Sequence, residues 1–380
     1  MVVLRWPVGG IRTYVLYNYP ALRDVGWSFT FVGPGDASFR TFARDLDAWE
    51  GVEFVEAAVQ GKRCRLASTV REQLRTGRYD LMHSQGMTAA AHAAWANRGL
   101  GVPHVATAHD VFRPAQVAGA RGWAKLWLLG RLLRRLDILV ACGDDVRANL
   151  LEYVPEIERA GCRVVTIRNG IDTARFAEGS EREVASRELR HQLGIADDVR
   201  LLGFLGRFME QKGFLPLLDA LQRLTTNISP ASFRLVAVGS GDYEREYRSE
   251  VERRGLTEVV TFLGFVPDVG PLLRQLDLLV VPSLWEACPL LPMEAMAAGV
   301  PVLGSDCIGL REVLRYTPSM VAPAGNAEAW SAAIQKAIAT PWTDAARAFA
   351  PLARRRFDVT QSAEELVRVF EKRLAVAVAA

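Results

Sequence analysis

Cysteine is scarce in this 380-residue chain, and its five copies (Cys64, Cys142, Cys162, Cys288 and Cys307) lie far apart with no C-x-x-C spacing. An odd, scattered set gives neither a disulfide framework nor a zinc-ligand pattern, so a reducing cytosol is the expected compartment. No stretch approaches the roughly 18 uninterrupted apolar residues of a membrane-crossing helix. The opening Met1-Val2-Val3-Leu4-Arg5-Trp6-Pro7 lacks the apolar core and cleavage site of a signal peptide, so export by the secretory route is not expected. Charge of one sign is also lacking. Forty-six Lys and Arg against 43 Asp and Glu leave +3, without the domain-wide basic excess of a nucleic-acid binder. There is no repeat and no low-complexity tract, which argues against solenoids and disordered arrays.

What is present is a globular composition, 50% apolar and 23% charged, in a length that suits two domains at roughly 150 residues each. Short apolar runs ending in Gly, Pro, Asp or His alternate with segments of helical period. In the first half they are Val2–Trp6, Trp27–Val32, Asp80–His83, His104–Ala108, Ile138–Cys142 and Val164–Ile167. In the second they are Leu201–Leu205, Phe233–Val238, Val259–Leu263, Leu278–Val281, Val302–Gly304 and Met320–Ala322. Continuous Val/Leu/Ile runs with helix-length spacers read as parallel strands buried on both faces. The fold class is therefore α/β, and the pattern occurs twice. The charged segment Thr173–Asp198, after the turn-like Asn169-Gly170-Ile171-Asp172, is the expected interdomain linker. Ala327–Ala339 and Ala345–Phe357 look helical, and Thr360-Gln361-Ser362-Ala363-Glu364-Glu365 opens a last helix with Thr or Ser as its cap.

Open parallel sheets bind ligands beyond the carboxyl ends of their strands, so the residues past each run carry the functional weight. The first run leads into Gly9-Gly10, either a tight turn or a close backbone approach to a ligand. Leu201–Leu205 leads into Gly206-Arg207-Phe208-Met209-Glu210-Gln211-Lys212-Gly213, placing two cations five residues apart. Such a pair suits a diphosphate, gripped bidentately by Arg and by Lys as a point charge; alternatively it is a solvated surface pair. After Leu278–Val281, Glu286 in a loop and Glu294 in a helix stand eight apart, spaced to reach successive parts of one extended ligand. Taken singly, Glu294 could also be a helix-dipole or capping acid.

The E-x7-E pattern followed by Ala295-Met296-Ala297-Ala298-Gly299-Val300-Pro301-Val302, with G-R-x4-K-G on an earlier strand, resembles glycosyltransferase family 4. Gly9-Gly10, Thr107-Ala108-His109-Asp110, Asn169-Gly170-Ile171-Asp172, Val238-Gly239-Ser240-Gly241 and Leu263-Gly264-Phe265-Val266-Pro267 agree with it in order along nearly the whole chain. The resemblance implies a retaining enzyme of GT-B fold, with two Rossmann-like domains facing across a cleft. An acceptor-side domain would span 1–172, a linker 173–198 and a nucleotide-sugar domain 199–358, with a helix at 359–380 returning to the first. It also implies roles. Arg207 and Lys212 would neutralise the donor diphosphate, Glu294 would bind the ribose, and Glu286 the transferred sugar. Gly206 and the loop residues Ala287, Cys288, Leu290 and Leu291 would help hold sugar and phosphate, and Val266 would lie near the base. His109 would face the sugar from the other domain, with Gly9 and Gly10 near the phosphates or acceptor. The catalytic set is then Glu286, His109, Arg207 and Lys212, with no cofactor beyond a UDP- or GDP-sugar co-substrate and no metal. The D-x-D at Asp45-Leu46-Asp47 reads as a solvated helix face.

Where the family often has Glu-Gly-Phe-Gly this chain has Glu286-Ala287-Cys288-Pro289, and Pro289 has no N–H to donate. Ser305-Asp306-Cys307-Ile308-Gly309 carries one glycine where two are common. The chain starts almost inside its first strand, so a natural start further upstream is expected. His83, His92, His104 and His191 read as core or surface residues. Gly122–Leu136 mixes Trp123 and Trp127 with Lys125, Arg131, Arg134 and Arg135, a pattern of either an ordinary packed helix or one lying on an anionic membrane. Residues 1–180 hold 23 basic and 18 acidic groups against 23 and 25 in the remainder, and 57–135 hold 13 against 3. The combined expectation is a cytoplasmic hexosyltransferase, peripheral on the inner face of the plasma membrane, acting on a glycan or glycolipid in surface-polysaccharide assembly. Two alternatives share the architecture: a nucleotide-sugar epimerase, and a non-catalytic nucleotide-sugar-binding partner of another transferase.

Overall fold

The computed structural model describes residues 1–61, 63–159, 161–176, 188–266, 268–340 and 342–379. They form two compact units, Met1–Gly170 with Val359–Ala380, and Ile171–Asp358. In the first unit the strands are β1 (Val2–Leu4), β2 (Phe29–Pro34) and β3 (Val52–Ala57), a small hairpin of β4 (Val59–Gln60) and β5 (Arg63–Cys64), then β6 (Met82–Gln85), β7 (His104–Ala108), β8 (Ile138–Ala141) and β9 (Arg163–Thr166). All but the hairpin join one parallel sheet in the order β3-β2-β1-β6-β7-β8-β9. The second unit has β10 (Arg200–Leu205), β11 (Phe233–Val238), β12 (Val260–Leu263), β13 (Leu278–Val281), β14 (Val302–Ser305) and β15 (Met320–Ala322), ordered β12-β11-β10-β13-β14-β15. The first strand of each sheet is central: Val2 lies opposite both Phe31 and His83, and Leu202 opposite both Leu235 and Leu278. Strand order reverses at β1/β6 and at β10/β13, the Rossmann arrangement that opens a crevice at the carboxyl ends of those strands.

Burial on both faces explains the apolar runs. Val2, Leu4, Phe29, Phe31, Val105 and Val140 pack under Tyr14, Tyr19 and Leu22 of the helix Gly10–Asp24. The second core gathers Phe204, Phe208, Phe214, Tyr247 and Trp330. The last helix, Val359–Ala379, belongs to the first unit. It inserts Leu366 and Phe370 into that core, and its Ser362 hydroxyl donates to Asn18 Oδ1 at 2.8 Å.

Three expectations change. β3 escaped the apolar pattern because it is an edge strand whose Glu53 and Glu56 face outward to Arg78 and Arg40, charges that also protect the edge from further pairing. The segment 173–198 is not a free linker. Phe176 is buried and Arg190 grips Asp277 at 2.5 Å, so both of its described ends pack on the second unit, while residues 177–187 lie outside the described residues. The last helix begins at Val359, so Thr360 sits within its first turn instead of capping it.

Candidate functional site

In the second unit, the carboxyl ends of β10 and β13 bring Lys212 and Glu286 together. Lys212 closes the short turn Glu210–Lys212 after β10, and its Nζ donates to Glu286 Oε1 at 2.6 Å. The pair is largely withdrawn from water, with side chains 25% and 7% exposed. Ser283 Oγ donates to the same oxygen at 2.7 Å, and Gln211 Nε2 reaches Oε2 at 3.4 Å and the carbonyl of Trp285 at 2.9 Å. The loop is anchored from below, where Glu286 N donates to Ile308 O at 3.1 Å and Ser305 Oγ to Ser283 O at 2.5 Å. Gly213 makes this junction possible. Its φ is +68°, and a Cβ there would collide with Pro282 O. Burial beside this loop pushes the Cys307 thiol up to about 11, so it stays protonated.

Arg207 follows Gly206 and is different in kind. Its guanidinium is 54% exposed, with a long 3.5 Å contact to Asp242, and it points a charge into solvent at the same strand end. Glu294 is buried on the helix Leu290–Ala297, whose first turn holds no acid and whose N-cap, Pro289, makes no side-chain cap. Since Pro292 has no N–H, the amides of Leu290 and Leu291 are the donors of that first turn. Ala287 and Cys288 lie in the loop between, and Val266 lies past the edge strand β12, two strands from β10.

In the first unit, Gly9, Gly10 and His109 share the carboxyl edge. Gly9 has φ +54° and ψ −130°, a conformation suited to glycine, and opens the helix Gly10–Asp24 with no side-chain cap and no acid in the first turn. Tyr14 of that helix meets the His109 ring edge-on at 4.8 Å. His109 Nε2 lies 2.6 Å from Gln85 Oε1, at the end of β6, and burial lowers its pKa to about 3. His83 and His104 are core residues, both held neutral by burial. The D-x-D is not a uniformly solvated face: Arg12 Nε holds Asp45 at 2.5 Å, Leu46 is buried, and Asp47 is exposed.

Of the residues expected from sequence, Lys212 and Glu286 touch, and Arg207 stands at the same strand end as Lys212. Ser283, Gln211 and Gln85 were not expected, because polar residues at strand ends are common and only their partners mark these three. On the membrane question, no helix among the described residues is long and apolar enough to cross a bilayer. The helix Gly119–Leu133 does expose Trp123 (65%), Trp127 (55%) and Leu128, with Arg131 over the Trp127 ring.

A family model described as Glycosyltransferase Family 4 matches residues 8–175, and one described as Glycosyl transferases group 1 matches residues 185–356. The phosphatidyl-myo-inositol mannosyltransferase of Mycobacterium leprae (strain TN) is 30% identical over 382 residues, covering 96% of this chain and 93% of its own. The lipopolysaccharide core biosynthesis mannosyltransferase LpsB of Rhizobium meliloti (strain 1021) is 30% identical over 207 residues, 54% of each chain. Among solved structures, Anabaena Alr3699/HepE in complex with UDP-glucose superposes with a TM-score of 0.80 at 22% identity, over 98% of this chain and 100% of that one. At that identity the likeness is one of fold.

Proposed function

The chain belongs to glycosyltransferase family 4 and has its GT-B fold, and from that premise we propose a retaining, metal-independent transferase that moves a hexose-type sugar from a UDP- or GDP-sugar to a glycan or glycolipid acceptor. The observation that carries this reading is the meeting of Lys212 and Glu286 at the switch point of the second sheet, with Arg207 on the same strand end. Departure of a nucleoside diphosphate builds negative charge, and cations already fixed in place stabilise that charge without reorganisation. Lys212 has three donors. One goes to Glu286, and the proposal gives the others, with the Arg207 fork, to the diphosphate. The two cations then do the work for which other transferases use a metal ion.

Glu286 is held by Ser283 and Lys212, and the proposal has it accept from hydroxyls of the transferred sugar, gives the amides of Leu290 and Leu291 to sugar and phosphate, and gives Glu294 to the ribose. Retention follows if the acceptor attacks from the face the diphosphate leaves, so Glu286 need not act as a nucleophile. A relative acting on phosphatidyl-myo-inositol and another in lipopolysaccharide core synthesis support a lipid-linked acceptor and a place in surface-glycan assembly. The Trp123, Trp127 and Leu128 face, flanked by Arg121, Lys125, Arg134 and Arg135, supports docking on an anionic membrane from the cytoplasmic side. A thermal-shift screen of UDP- and GDP-sugars tests the donor assignment. One base series should stabilise the wild type, and Arg207→Ala should lose that stabilisation while keeping its ligand-free melting temperature. A silent screen, or an unaffected variant, contradicts it.

A further inference from the structure

Thr107, His83, Tyr19 and Gln85, all buried, and the half-buried His109 form one line of polar side chains beneath the carboxyl edge of the first sheet. Four of them have almost no contact with water, where an unpaired amide or imidazole would be costly. Their hydrogens follow from the orientation of the Gln85 amide. Gln85 Nε2 donates to the Tyr19 hydroxyl at 2.8 Å, which leaves Gln85 Oε1 facing His109 Nε2 at 2.6 Å. A carbonyl oxygen only accepts, so the ring hydrogen of His109 sits on Nε2 and Nδ1 keeps its lone pair. Tyr19, already accepting from Gln85, donates to His83 Nδ1 at 2.7 Å. His83 then donates from Nε2 to Thr107 Oγ1 at 2.8 Å. Every bond of the line runs in one direction. The Tyr14 ring, edge-on to His109 with an interplanar angle of 69°, fixes the ring plane.

We propose that Gln85 is a positioning residue that locks His109 in the Nε2–H tautomer, so that Nδ1 is offered as a hydrogen-bond acceptor to a hydroxyl of the bound sugar or acceptor. Burial supports this by keeping the imidazole neutral. A histidine free to exchange tautomers would offer an acceptor at that position only part of the time. Gln85 removes that loss without touching substrate. The identity of the hydroxyl rests on the transferase reading above; the tautomer does not.

The test is nitrogen NMR of the full chain labelled on its histidine rings. Five histidines keep the spectrum simple, and loss of one signal set in His109→Asn assigns the residue. Near neutral pH, wild-type His109 should show a protonated Nε2 and an unprotonated Nδ1. Gln85→Leu should give averaged tautomer signals and a kcat about twofold lower, a barrier change of about 0.4 kcal/mol. Gln85→Glu, which keeps an acceptor oxygen, should restore a protonated Nε2. Protonated Nδ1 in the wild type overturns the proposal, as does an unchanged His109 spectrum in folded Gln85→Leu. A locked tautomer in a protein that transfers no sugar would leave Gln85 in its role and remove the transferase reading instead.

Discussion

Lys212 and Glu286 are 74 positions apart in the chain and 2.6 Å apart in the fold, and that contact decides what each can do. The glutamate is the lysine's counter-ion and keeps one of its donors, so its negative charge opposes a diphosphate held by the others. Glu286→Gln should therefore tighten binding of a nucleoside diphosphate, measured by calorimetry, while lowering kcat through loss of sugar contacts. Weaker diphosphate binding would contradict that opposition. Lys212→Ala should lower kcat by about 10²–10³, the usual scale for removing one preorganised stabiliser of developing charge. Residue chemistry also sets a pH response. Unfolded histidine titrates near 6.5, whereas burial pushes His104 down to about 3 and lowers His83 well below its ordinary value. Below pH 6.5 the unfolded chain takes up protons that the folded one refuses, so stability falls as pH drops, by about 1.4 kcal/mol per pH unit for each group. Denaturant titrations at several pH values should show a shallower fall in His104→Asn than in the wild type; equal slopes would mean that His104 protonates in the fold. The charged residues of the site were legible in sequence because Lys and Glu at strand ends stand out. Ser283, Gln211 and Gln85 were not, since nothing in an isolated Ser or Gln says which buried carboxylate or imidazole it will meet.

At the scale of elements, the strand ends are held by backbone packing. Gly213→Ala forces a side chain into a left-handed conformation and against Pro282 O, so it should destabilise the second unit by about 2 kcal/mol or more and weaken donor binding with it. Chemical denaturation and a nucleotide titration on the same variant check both effects. The helix Gly119–Leu133 carries its own prediction. Replacing Trp123 and Trp127 together by Ala should abolish salt-sensitive co-sedimentation with anionic vesicles and leave turnover of a soluble acceptor intact, whereas equal binding to neutral vesicles would speak against an electrostatic membrane face. The central strands were readable because burial on both faces writes an uninterrupted apolar run. β3 was not, because an edge strand alternates and carries charge, and the hairpin β4–β5 is too short for any period to register.

For the whole molecule, the +3 net charge conceals a basic first half and a slightly acidic second, and the twofold α/β pattern resolves into two Rossmann-like units. The end of the chain completes the first of them. Phe370 lies against Trp27 and edge-on to His83, so Phe370→Ala should cost about 3–5 kcal/mol, read as earlier proteolysis of the first unit while the second resists. The two-domain plan was legible because the apolar rhythm repeats. That the final helix fills the first core followed only from family resemblance, since apolar spacing within a helix does not reveal which sheet it covers. The proposed chemistry requires the second unit to bind a nucleoside diphosphate through its paired cation. The most direct measurement is calorimetric titration of UDP and GDP into wild type and Lys212→Ala. One nucleotide should saturate the wild type and bind the variant at least about tenfold more weakly, the scale of one lost charge-assisted hydrogen bond, with the melting temperature preserved. Binding of neither nucleotide to the wild type, or equal affinity for the folded variant, would contradict it.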